Sequence, residues 1–73
     1  MDLCKKVGQN IKKYRLERGF SQEDLAFESG LHRTYISSLE RGKRNATIVV
    51  IGQIADALKI NPALLLEIST TYY

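Results

Sequence analysis

The stretch Ser21–Gly42, SQEDLAFESGLHRTYISSLERG, constrains this chain most, because it demands two short helices with almost no room between them. Ser21 is a good N-cap, since its hydroxyl can accept a free backbone N–H, and Glu23 and Asp24 follow where the positive end of a helix dipole favours acids. Gly30 falls where that helix must stop and the chain must turn, a place where a residue without Cβ adopts positive φ at little cost. In the segment after it, Ile36 and Leu39 share one helical face, while Thr34, Ser38 and Arg41 project from roughly the opposite one. Helix, glycine-containing turn, helix is the sequence form of a helix-turn-helix, whose second helix enters the major groove of DNA.

The flanking segments read as support for that unit. Leu3, Val7, Ile11 and Tyr14 recur at helical spacing, with Lys5, Lys6, Lys12 and Lys13 on the remaining surface, so an amphipathic first helix is expected. Gly19 stops it, and Phe20 is placed as a hydrophobic staple or a core plug. Leu25 and Ala26 are the expected buried pair of the second helix, and Leu31 points inward from the turn. Thr47 can cap a fourth helix carrying Ile48, Ile51, Ile54, Ala55 and Leu58; propensity alone would also allow a short strand at residues 48–51, but it would have no partner. Asn61 followed by Pro62 is an N-cap before the favoured first-turn proline, which predicts a fifth helix. The expectation is an all-α chain, one domain over residues 1–73, with helices at about 2–18, 21–29, 33–41, 48–59 and 62–68.

A chain of 73 residues buries only about 60% of its unfolded surface and gains from dimerising. Leu64, Leu65, Leu66 and Ile68 cannot all face one small core, so Leu64, Leu65 and Ile68 are expected at a homodimer interface, with Tyr72 across the axis. The net charge of +3 suits a polyanionic partner without requiring one, and its placement says more: Lys43 and Arg44 cluster just after the third helix. Cys4 is the single cysteine, so no intrachain disulfide forms; its expected place is half-buried on the first helix of a protein in a reducing, cytoplasmic compartment. No run approaches the roughly 18 apolar residues of a membrane span. One histidine and one cysteine, far apart, cannot make a zinc site, and no cofactor is expected. Nor is catalysis: Ser37 and Ser38 have only His32 as a conceivable base, on a different side of the same short helix.

At Gln22, Ala26, Gly30, Ile36, Leu39 and Glu40-Arg41-Gly42 the sequence resembles the phage-repressor-like helix-turn-helix family, the five-helix fold of the lambda and 434 repressors. More narrowly, LeuHisArgThrTyrIleSer followed by GluArgGly and ArgAsn resembles the controller proteins of restriction-modification systems, small dimeric autoregulators. Ala46 departs from the family pattern, where many relatives carry proline before the fourth helix. The resemblance implies that Arg33, Thr34 and Ser38 contact bases, with Ser37 a weaker candidate. It assigns Gln22, Tyr35, Lys43, Arg44 and Asn45 to the DNA backbone, and a structural ion pair to Arg15 and Glu40. Residue chemistry agrees: Arg can donate two parallel hydrogen bonds to guanine, and Thr offers a methyl to thymine. Glu23 and Asp24 are candidates for contact with RNA polymerase, against the simpler reading that they only favour the helix start. The expected function is a homodimeric transcriptional regulator of double-stranded DNA, with a phage or plasmid repressor and an antitoxin-type interaction module as alternatives.

Overall fold

The computed structural model describes residues 2–68. Four α-helices run in order: α1 (Leu3–Glu17), α2 (Gln22–Ser29), α3 (Arg33–Glu40) and α4 (Ile48–Leu58), followed by a 3-10 helix at Pro62–Leu66. No strand occurs among the described residues, so residues 48–51 are helical.

Every start except that of α3 is fixed by a side chain that takes an otherwise unpaired N–H. Asp2 accepts from Lys5 N–H at 3.1 Å, Thr47 from Val50 N–H at 3.1 Å, and Asn61 from Ala63 N–H at 2.9 Å. Ser21 and Asp24 form a reciprocal capping box: Ser21 Oγ accepts from Asp24 N–H at 3.0 Å, and Asp24 Oδ2 from Ser21 N–H at 2.9 Å. Gly30 ends α2 in the left-handed region, with φ 76°, as the turn requires.

The last element departs from expectation. Instead of a fifth α-helix over 62–68, a five-residue 3-10 turn forms and the backbone becomes extended at Glu67. Asn10 on α1 explains the stop, because its side-chain amide donates to Leu65 O and Glu67 O, both at 3.0 Å. Those carbonyls are held by another element, and a run this short has little helix-forming drive of its own.

The core joins all five elements. Ile11, Leu25, Ile36, Leu39, Ile54, Leu58 and Leu65 are fully buried, with Tyr14, Phe20, Leu31 and Tyr35 packed at its edges. Ile48 is not part of it: 88% of its surface is exposed, so the buried stripe of α4 begins at Ile51. α1 and α3 cross with their backbones close at Gly8, where a Cβ would stand 2.2 Å from Leu39 O. This close approach places α3 on the flank of α1, with its polar face outward.

Candidate nucleic-acid interface

α3 divides sharply. Ile36 and Leu39 are buried, which fixes the helix on the core, and His32, Arg33 and Thr34 at its N-terminal end are exposed. Ser37 and Ser38 are half-buried. Ser38 Oγ donates to Thr34 O at 2.8 Å, so the hydroxyl proton is committed and the oxygen is left chiefly to accept. His32 makes no side-chain cap, so α3 presents its first turn without an internal oxygen over it.

Of the residues expected to meet DNA, Gln22, Arg33, Thr34, Tyr35, Ser38 and Arg44 line two shallow hollows, and Ser37, Lys43 and Asn45 line neither. One is lined by Ser21, Gln22, Glu23, Arg15 and Arg33, bringing the start of α2 beside the start of α3. The N–H groups of Gln22 and Glu23 stand ahead of the first helical bond, from Leu25 N–H to Ser21 O, in the arrangement that suits an anion. The second is lined by His32, Thr34, Tyr35, Ser38 and Arg44, so the loop after α3 folds back beside the reading helix. Tyr35 is half-buried against the core, and the Arg44 guanidinium lies 5.5 Å from the centre of its ring. Lys43, Arg44 and Asn45 are exposed.

One buried carboxylate ties this surface together. Glu40 Oε2 accepts from Arg15 Nε at 2.6 Å and Oε1 from Arg15 Nη2 at 3.0 Å, the two-bond geometry that arginine offers a carboxylate. The Arg15 and Glu40 side chains are 8% and 4% exposed. Arg15 Nη1 also donates to Phe20 O at 2.8 Å, and Gln22 Nε2 donates to Glu40 Oε1 at 3.2 Å. A single cluster therefore fixes α1, the α1–α2 turn, the first residue of α2 and the last of α3. Gln22, expected only as a phosphate contact, is a half-buried member of it through its amide N–H.

Two further contacts escaped sequence reasoning. Asn10 holds the 3-10 helix, and its only signal was an amide among the core positions Val7, Ile11 and Tyr14 of α1. Cys4 Sγ donates to Asn45 Oδ1, linking the first turn of α1 to the loop after α3; a separation of 41 residues left no sequence trace.

Of the residues expected at a dimer contact, the structure excludes one. Leu65 is fully buried in the chain's own core, so it cannot be an interface residue. Leu64 and Ile68 are half-buried, and Tyr72 lies outside the described residues. The larger exposed apolar side chains in that region are Ile48, Val49, at 72%, and Leu66, at 47%. Asp24, for its part, spends its carboxylate on the capping box, while Glu23 remains exposed. Among the described residues there is no acidic, histidine or cysteine cluster able to hold a metal, and no helix is long and apolar enough to cross a membrane.

Comparison with known proteins gives this surface its family. A helix-turn-helix family model matches residues 11–65. The control protein C.BamHI of Bacillus amyloliquefaciens is 48% identical over 64 residues, covering 86% of this chain and 79% of that protein. The crystal structure of the restriction-modification controller C.AhdI from Aeromonas hydrophila superposes with a TM-score of 0.83 at 47% identity, over 85% of this chain and 94% of that one. The controller C.Esp1396I, solved as a tetramer with its natural 35 base-pair operator, gives a TM-score of 0.82 at 46% identity, over 89% and 86% of the two chains. Variants of that controller have also been solved in which an arginine, the threonine after it and the tyrosine after that are replaced singly, the residue order of Arg33, Thr34 and Tyr35. With an all-α helix-turn-helix fold and these relatives, the chain belongs to the helix-turn-helix family as a DNA-binding transcriptional regulator, not an enzyme, among the relatives of the restriction-modification controller proteins.

Proposed function

We propose that the chain acts as a homodimer on two operator half-sites about one helical turn apart, as an autoregulatory controller of a restriction-modification system. The observation that carries this reading is the exposed Arg33–Thr34 pair lining two hollows, one with Gln22 and the other with Arg44. A surface of that form reads bases at its centre and holds phosphates at both edges. Arg33 and Thr34 then contact base edges, and Ser38 accepts from a base amino group. Ser37, half-buried, allows close approach to the duplex. The Gln22 side chain and the backbone N–H groups of Gln22 and Glu23 take a phosphate on one side; Lys43, Arg44 and Asn45 take phosphates on the other, with Tyr35 under Arg44.

The dimer contact is assigned to Ile48 and Val49 at the start of α4, which project into solvent, together with the half-buried Leu64 and Ile68. The chain as a whole is read as one DNA-binding domain of the lambda-repressor arrangement, its fifth element shortened to a 3-10 turn. Contact with RNA polymerase, in the cytoplasm where the DNA lies, falls to Glu23, since the Asp24 carboxylate already closes the capping box.

Selection of bound duplexes from a random pool tests the reading. The expected result is an inverted repeat of two short half-sites, bound with an affinity that falls log-linearly with salt. Failure to bind any duplex at low salt would overturn it.

A further inference from the structure

An apolar recess lies between the first turns of α1, the loop after α3 and the first half of α4. It holds about 300 Å³, at the lower end of the size of small-molecule sites, roughly 300–1,000 Å³. Leu3, Val7, Ile51 and Leu66 supply apolar wall, and the loop contributes Arg44 and Asn45. The Asn45 amide oxygen is occupied by the Cys4 thiol, so its N–H group is the part left to donate. Among the described residues Arg44 has no carboxylate partner; the ion pair there is Arg15–Glu40. Arg44 also lines the hollow beside Thr34 and Ser38, with its guanidinium over the Tyr35 ring. Arg44 thus belongs to the walls of both the apolar recess and the hollow on the reading face.

We propose that this recess binds a small molecule with an aliphatic body and a carboxylate head, and that the bound molecule competes with DNA for Arg44. The body covers Val7 and Ile51, and the carboxylate accepts two hydrogen bonds from Arg44 and one from the Asn45 amide. Competition follows because one guanidinium cannot neutralise both that carboxylate and a phosphate. The binding half stands on the recess alone, and the competition half rests on Arg44 as a phosphate contact.

The test is an NMR titration of the full ¹⁵N-labelled chain with sodium octanoate, with octan-1-ol and octylamine as matched probes. Saturable shifts are expected at Val7, Ala46, Ile51 and the Arg44 side chain, with octanoate at least about tenfold tighter than either probe. Ala46→Leu fills the recess and should abolish those shifts while retaining DNA binding in the absence of octanoate; Leu3→Phe at the rim is the second variant. Absence of saturable shifts, equal affinity for octylamine, or the same shifts produced by raising protein concentration alone would overturn the site. The last outcome would assign the recess to a second copy of the chain. Saturating octanoate should weaken operator binding about tenfold in the wild type and not in Ala46→Leu. An unchanged operator Kd at saturation overturns the competition, and loss of all DNA binding without octanoate marks failure of the regulator reading instead.

Discussion

Replacing Glu40 by alanine removes three hydrogen bonds from one buried point: two from Arg15, at 2.6 and 3.0 Å, and one from Gln22 at 3.2 Å. The larger loss is what remains. Arg15, 8% exposed at the side chain, keeps only its bond to Phe20 O and stands as a buried charge without a counter-ion. Stranding one member of a buried pair costs about 3–5 kcal/mol. A domain of this length has a total stability of about 4–11 kcal/mol at 0.05–0.15 kcal/mol per residue, so the variant loses between about a quarter and all of it. At about 4–8 °C per kcal/mol, the midpoint falls by more than about 12 °C. The double variant Arg15→Met with Glu40→Leu removes the stranded charge and fills the same space, so it should be more stable than Glu40→Ala. Thermal and urea denaturation followed by circular dichroism measures both. A Glu40→Ala loss below about 1 kcal/mol, the range of a solvent-exposed pair, would refute the claim that this cluster anchors the reading helix.

Other consequences test separate parts of the structure. Gly8→Ala should lower stability by about 1–3 kcal/mol in urea denaturation, because its Cβ meets the Leu39 carbonyl and α1 must move off α3. Lys59 ends α4 in the left-handed conformation, with φ 56°, so Lys59→Gly should raise stability by up to about 1 kcal/mol in the same assay. Asn10→Ala leaves the carbonyls of Leu65 and Glu67 unpaired and should cost about 1–3 kcal/mol, with amide exchange faster at the 3-10 helix than in α2. Ile48→Lys should shift sedimentation velocity toward the monomer at a concentration where the wild type is dimeric, leaving the helical spectrum unchanged.

Local chemistry made much of the fold legible. Ser21, Gly30, Thr47 and Asn61 are caps or turns whose signals act within four residues, and the stripe of Ile51, Ile54, Ala55 and Leu58 stated its own period. The failures involve tertiary context that local spacing does not carry. Pro62 does start a helical turn, but Asn10, 55 residues away from Leu65, takes the carbonyls that an α-helix would need. Leu65 reads like its neighbours Leu64 and Leu66 until the core shows room for one of the three. Ile48 matched the buried stripe of α4 by spacing, yet it stands in the first turn, beyond the reach of the core. The surface residues were legible by resemblance, and the structure adds how they are held. Gln22 shares the carboxylate of Glu40, Ser38 is bonded back to Thr34, and Arg44 is stacked on Tyr35.

The central claim is that Arg33 reads a base while the loop after α3 holds phosphate. It is tested by comparing operator affinity for Arg33→Ala and Lys43→Ala across salt concentration, on the selected operator and on duplexes changed at one position. Arg33→Ala should lose about 1–3 kcal/mol on the operator and lose its preference at one base pair. Lys43→Ala should keep every preference and lower the log–log salt slope by about 1. Equal loss on all duplexes for Arg33→Ala, with preference at every position intact, would contradict the account.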